Sequence, residues 1–274
     1  MARISRLGAA SLVGLVGLSA LAVRAELWKL LGISWVAFLA MAGGAVLGAR
    51  AAGRERARTL VWGYGLASGA MVTSALVFIV PDAIGHHPAY GGFGIALGVI
   101  AGFAAHTVGH RATHYELPMD HTALELSAHA LAAGVIIGVV YGNLPELGPL
   151  LGVAIVSHKG PAGYAAARRL VDDGRSHWVL LVPAAGVGLA AIPSGLVSLP
   201  AVPAASAVVF GFAAGVFLHV AMDFLPRCEL GGDVYELAQL SPDAHQLLDR
   251  LRLHAVSSTA LGGLAVFVAW LAVA

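Results

Sequence analysis

Hydrophobic residues run in long blocks along the chain, each closed by a short cluster of charged, proline or glycine residues. A hydrocarbon core about 30 Å thick takes about 20 apolar helical residues to cross. Nine blocks meet that length: approximately Leu7 to Val23, Leu30 to Gly48, Leu60 to Val80, Tyr90 to Gly109, His121 to Gly142, Leu147 to Ala167, His177 to Val197, Ala204 to Leu225 and Leu253 to Ala274. The pattern predicts an all-α fold, a polytopic membrane helical bundle with the lipid bilayer as its first partner. Composition agrees, because 58% of the 274 residues are hydrophobic and 11% are charged, against about 25% charged in a soluble domain. Thirty-five glycines let helices approach closely inside a membrane, and glycine-rich outer faces also permit a homodimer.

Charge sets the orientation. Sixteen Lys and Arg against 15 Asp and Glu leave a net charge of +1, too little for a phosphate-neutralising field, so no nucleic acid partner is expected. Numbering the loops alternately gathers Arg3, Arg6, Arg50, Arg54, Arg56, Arg58, Arg111, Arg168, Arg169, Arg175, Arg227, Arg250 and Arg252 on one side. Only Arg24 and Lys29 fall on the other, and Lys159 lies within a span. The positive-inside rule then predicts an inside N-terminus and an outside C-terminus, in a cell (plasma) membrane. Residues 1–29 form an extra N-terminal helix ahead of a 30–274 domain, although a basic start and Ala20-Leu21-Ala22 also describe a signal-like segment. Ser241-Pro242-Asp243 reads as an N-cap opening a helix that feeds the last span. Gly65 to Phe78 can be laid on Gly211 to Phe224, each near a proline, Pro81 or Pro226, and in opposite directions across the membrane. That relation is expected of an inverted repeat.

The single cysteine, Cys228, makes neither an intramolecular disulfide nor a thiolate metal centre, so any metal here uses His and carboxylate. Ionisable groups inside a span cost at least about 2.5–3.5 kcal/mol and need a partner, a cavity or a job. His121, Glu125 and His129 are spaced i, i+4, i+8 and share one helical face; His106, His110 and His114 repeat that spacing in the preceding span. His158 lies in Ser157-His158-Lys159-Gly160-Pro161-Ala162-Gly163, where Pro161 breaks the hydrogen-bond ladder. His219 and Asp223 form a further i, i+4 pair, and His86 and His87 with Asp82 can gather cations outside. Imidazole and oxygen ligands without thiolate suit Zn²⁺, Fe²⁺, Mn²⁺ or Co²⁺.

The segment Ala128-His129-Ala130-Leu131-Ala132-Ala133-Gly134, followed by His158-Lys159-Gly160-Pro161-Ala162-Gly163, resembles the fourth and fifth helices of the ZIP (Zrt/Irt-like) metal transporters. The resemblance covers residues 30–274 and belongs to a His-Lys-x-Pro-Ala form of the motif. It implies eight ZIP-like transmembrane helices with an inverted repeat behind the extra helix, and passage of divalent metal ions toward the cytoplasm by an elevator-like or rocking change. The family's usual Asn, acidic and Glu positions hold Ala130, Ala133, Lys159 and Ala162 here. Lys159 puts an ammonium where binuclear members hold a second metal, which implies one ion rather than two. The expected ligands are His129 and His158, helped by Glu125, with Met71, Thr73 and Ser74 as neighbours. The onward route would pass His121, His110 and His106, or His219 and Asp223.

The expected function is thus a metal-ion transporter and not an enzyme, with Zn²⁺ or another divalent transition metal as substrate and no organic cofactor. Three alternatives stand beside it. One is a transport-dead sensor or scaffold, motivated by the missing acids. The second is a membrane metalloenzyme using His106, His110, His86 and His87, which the loop count places on opposite sides. The third is bis-His haem ligation by His129 with His158 or His219.

Overall fold

The computed structural model describes residues 5–51, 57–112, 121–144, 152, 158–200, 202–229 and 244–272, and among these every regular element is helical. The helices are α1 (Arg6–Arg24), α2 (Trp28–Ala51), α3 (Ala57–Ser74), α4 (Val80–His86), α5 (Pro88–Ala112), α6 (His121–Asn143), α7 (Lys159–Asp172), α8 (Leu181–Ser194), α9 (Pro203–Glu229) and α10 (Ala244–Leu271). A π-helical turn, Ala75–Ile79, joins α3 to α4, and a 3₁₀ turn, His177–Leu180, leads into α8. Among the described residues, eight stretches are long and apolar enough to span a bilayer, and they correspond to eight of the nine hydrophobic blocks. The chain is therefore a multi-pass, all-α membrane protein. The remaining block, Leu147 to Ala167, is described only at 152 and 158–167, where it runs into α7. The predicted cap at Ser241-Pro242-Asp243 also lies outside them, and α10 begins directly after it.

Local chemistry sets the element ends. Ser5 caps α1 by accepting a hydrogen bond from the Gly8 amide at 3.0 Å. The chain leaves α1 through a Schellman turn, in which the Glu26 amide reaches the Val23 carbonyl and the Leu27 amide reaches that of Ala22. Glu26 takes the left-handed position of that turn at φ 57, where glycine is usual. The end of α7 repeats the motif with glycine in place, Gly174 at φ 71. The π turn precedes Pro81, which cannot donate to the ladder and whose ring crowds the carbonyl four residues back. The Val80 amide reaches five residues back to Ala75 instead, widening the helix where the proline enters.

The helices gather into two units. The first comprises Met1–Gly53 and Ala104–Pro200, the second Arg54–Phe103 and Ala201–Ala274. The extra N-terminal helix belongs to the first: Leu15 and Ala22 are fully buried, Leu15 lies beside Gly188 of α8, and the Trp35 indole donates to the Ser19 hydroxyl at 3.1 Å.

Glycine notches set the helix pairs of this unit. A methyl group on Gly44 or Gly48 of α2 would run into the α7 backbone at Gly160 or Tyr164, and one on Gly163 would run into Met41. Gly134, Gly138 and Gly142, one per turn of α6, meet Val187, Ala191 and Gly195 in the same way. Asn143 then fastens the end of α6 to the segment after α8. Its amide donates to the Val139 and Val197 carbonyls at 2.8 and 2.9 Å and its carbonyl accepts from the Leu199 amide at 2.7 Å.

In the second unit, α3 lies against α10 and α9. Gly65 and Gly69 admit Ser258 and Thr259, and the buried Ser68 hydroxyl donates to the Ala221 carbonyl at 2.7 Å. Gly94 and Gly98 of α5 interlock with Gly211 and Gly215 of α9.

Candidate metal site at the α6–α7 pair

His129 projects from α6 and His158 is the N-cap of α7, both within the first unit. Their Nε2 atoms lie 3.3 Å apart, with ring centroids at 5.5 Å and planes inclined by 74°. His158 is buried and His129 half-buried. Two neutral rings hold that distance when one Nε2–H donates to the lone pair of the other. It is also the separation that two ligands of one tetrahedral ion take up, because metal–nitrogen bonds of about 2.0–2.1 Å give an edge of about 3.3–3.4 Å.

The local fold explains how the pair forms. The chain turns at His158, Pro161 falls in the first turn of α7 where a missing amide costs little, and the Ala162 amide closes on the His158 carbonyl at 3.0 Å. The two motif glycines are packing glycines: Gly134 lets α6 meet α8, and Gly163 lets α7 meet α2. Ala130 is fully buried facing Gly186 of α8, and Ala133 and Ala162 are also buried. Three of the positions that carry polar or acidic groups in the resembling motif, Ala130, Ala133 and Ala162, are thus buried packing positions here.

Glu125, one turn from His129, is exposed. Among the described residues no third His, Cys, Asp or Glu joins the pair. Lys159 follows His158 and is almost completely buried, 2% exposed. Arg168, which the loop pattern assigns to a connecting segment, is instead a buried residue of α7, its guanidinium 6.0 Å from the centre of the Tyr164 ring. The i, i+4 spacing of Tyr164 and Arg168 is the sequence signal for that contact.

The other predicted residues distribute over the fold. Met71 is buried in α3 and Ser74 closes that helix, while Thr73 neighbours Gly263 of α10. His219 of α9 lies against Gly102 of α5, where a methyl group would come within 2.5 Å of its Cδ2. These four belong to the second unit. His106 and His110 lie in α5, His121 opens α6 and Asp223 lies in α9, with side chains outside the described set; His114 is outside it entirely. His86 and His87 are exposed. The His86 Nδ1–H donates to the Asp82 carbonyl at 2.8 Å, and His87 Nδ1 accepts from the Tyr90 amide at 3.4 Å. Two polar anchors escaped the sequence reading: the Asn143 clamp, and Tyr141, whose phenol oxygen accepts from the Gly152 amide at 2.8 Å. No protein-family model matches the chain, and no curated protein matches it.

Proposed function

We propose that this protein carries a divalent transition-metal cation, Zn²⁺ foremost, across a cell membrane toward the cytoplasm, with His129 and His158 as the protein's ligands to the ion. Fe²⁺, Mn²⁺ and Co²⁺ suit the same donors. The 3.3 Å approach of the two Nε2 atoms carries the reading, because it equals the edge of a tetrahedral imidazole site. The resemblance of this helix pair to the ZIP motif supports it, and so does the division into two helical units, one holding the His pair and the other not. Alternating access needs such a division. The orientation follows the arginine distribution, with the N-terminus inside and the C-terminus outside.

Zn²⁺ entry into proteoliposomes loaded with a zinc-responsive dye tests the reading. Wild-type flux should be lost in the His129→Ala, His158→Ala double variant, with the variant monodisperse and helical. Equal flux in both proteins would overturn it; no flux in either, with zinc bound by the wild type alone, would make this a binding or sensing protein.

A further inference from the structure

The corner between α4 and α5 is a single residue, His87, preceded by a second histidine. The His87 amide donates to the Ala83 carbonyl at 3.4 Å and its carbonyl accepts from the Gly91 amide at 2.8 Å, so one extended residue ends α4 and opens α5. Packing closes the turn. A methyl group on Gly91 would run into the Ala83 backbone, and one on Gly211 of α9 would run into the Gly91 carbonyl. The two rings are fixed in opposite tautomeric roles by their partners. The Tyr90 amide can only donate, so His87 Nδ1, 3.4 Å from it, carries a lone pair; the Asp82 carbonyl can only accept, so His86 Nδ1, 2.8 Å from it, carries the proton.

We propose that His87 is a proton-operated cap, which holds the first turn of α5 when its ring is neutral and releases it when the ring is protonated, so that acid loosens the α4–α5 corner.

Imidazolium carries a proton on both nitrogens and cannot accept, so protonation takes the ring acceptor away from the Tyr90 amide. Tyr90 is the third residue of α5, the position whose amide an N-cap side chain ordinarily satisfies, and the lost bond leaves a first-turn amide open. The new charge also stands at the N-terminal end of a 25-residue helix, where the dipole opposes it. His86 answers in the other sense. Its Nδ1–H still donates after protonation, and its charge falls on the last residue of α4, the end that favours a cation. Its ring packs edge-on against the buried Phe210 of α9, with centroids 5.5 Å apart. The other titratable groups described at the corner are Asp82, half-buried on α4, and the Tyr90 phenol, whose ring meets that of His87 at 4.6 Å. The part of α9 from Pro203 to Leu218 adds none, although α9 packs against α4.

The test follows hydrogen exchange at the Tyr90 amide of the full chain in detergent, as protection relative to an unstructured peptide at the same pH. Protection in the wild type should fall about five-fold as the pH is lowered, the factor that a lost N-cap bond carries. The Gly8 amide, capped by the non-titrating Ser5 hydroxyl, should hold its protection over the same range and reports whether the fold survives. His87→Asn supplies an acceptor that does not titrate and should make Tyr90 protection independent of pH, while His86→Gln should keep the wild-type response. Constant Tyr90 protection in the wild type would overturn the proposal, and so would a fall that persists in His87→Asn. A response lost in His86→Gln would move the switch to the neighbouring ring, and a parallel fall at Gly8 would trace it to general unfolding; either result also overturns the assignment. None of these readings depends on metal transport.

Discussion

The two units are built by the same device and filled with different chemistry. In both, glycines let helices meet backbone to backbone: Gly44 with Gly160 in the first, Gly94 and Gly98 with Gly211 and Gly215 in the second. Their buried polar groups differ. Besides the hydroxyls Ser34 and Ser127, the first unit buries His158, Lys159 and Arg168, whereas the buried polar residues described in the second are the hydroxyls Ser68, Ser74 and Ser258. A hydroxyl can satisfy itself on a neighbouring carbonyl, as Ser68 does on Ala221, and so can serve as a helix fastener. A buried imidazole or ammonium is too expensive for fastening alone. Among the described residues, the buried ionisable groups thus lie in the first unit.

The sharpest way to break that contrast is to remove one polar group at a time. His158→Ala or His129→Ala should bring zinc entry to the level of empty liposomes, while Ser68→Ala and Ser74→Ala leave it near wild type. Loss of entry in Ser74→Ala would bring the second unit into the ion path. Acidification addresses the same pair without mutation. Protonated imidazole cannot coordinate, so zinc entry should fall as the pH is lowered, and entry that rises on acidification would argue against the histidines as ligands.

Stability should separate the units in opposite directions. Replacing Lys159 with Met exchanges a buried amine for an apolar group of similar shape and should raise stability in thermal melts. Ser68→Ala removes a satisfied hydrogen bond and should lower it by about 1 kcal/mol. Glu26→Gly relieves the left-handed residue between α1 and α2, with an expected gain of up to about 1 kcal/mol. Arg252→Ala, which breaks an exposed pair to Asp249, should change stability by less than about 0.5 kcal/mol.

Much of the fold was legible because bilayer thickness fixes how long an apolar run must be, and eight runs return as spanning stretches. The His129 and His158 pair was legible through the motif they share. Other features depend on helix faces meeting across long separations, and one sequence does not say which glycine faces which backbone. Nothing local announces that Gly134 answers Val187, that Asn143 fastens Leu199, or that each unit is assembled from two separated stretches of chain. Glu125 shows the limit of spacing arguments: it shares a helix with His129, but it is exposed. Arg168 shows the converse, a residue counted with the loops on charge alone that the alanine-rich α7 draws inside.

The N-terminal helix gives the first unit an outward handle. Leu15 seats it beside Gly188 and Ser19 ties it to Trp35, while Val13 faces away from the protein, 71% exposed. A spectroscopic label at Val13 would therefore sit on the outer face of the body that carries His129 and His158 and report that body's movement without touching its buried residues.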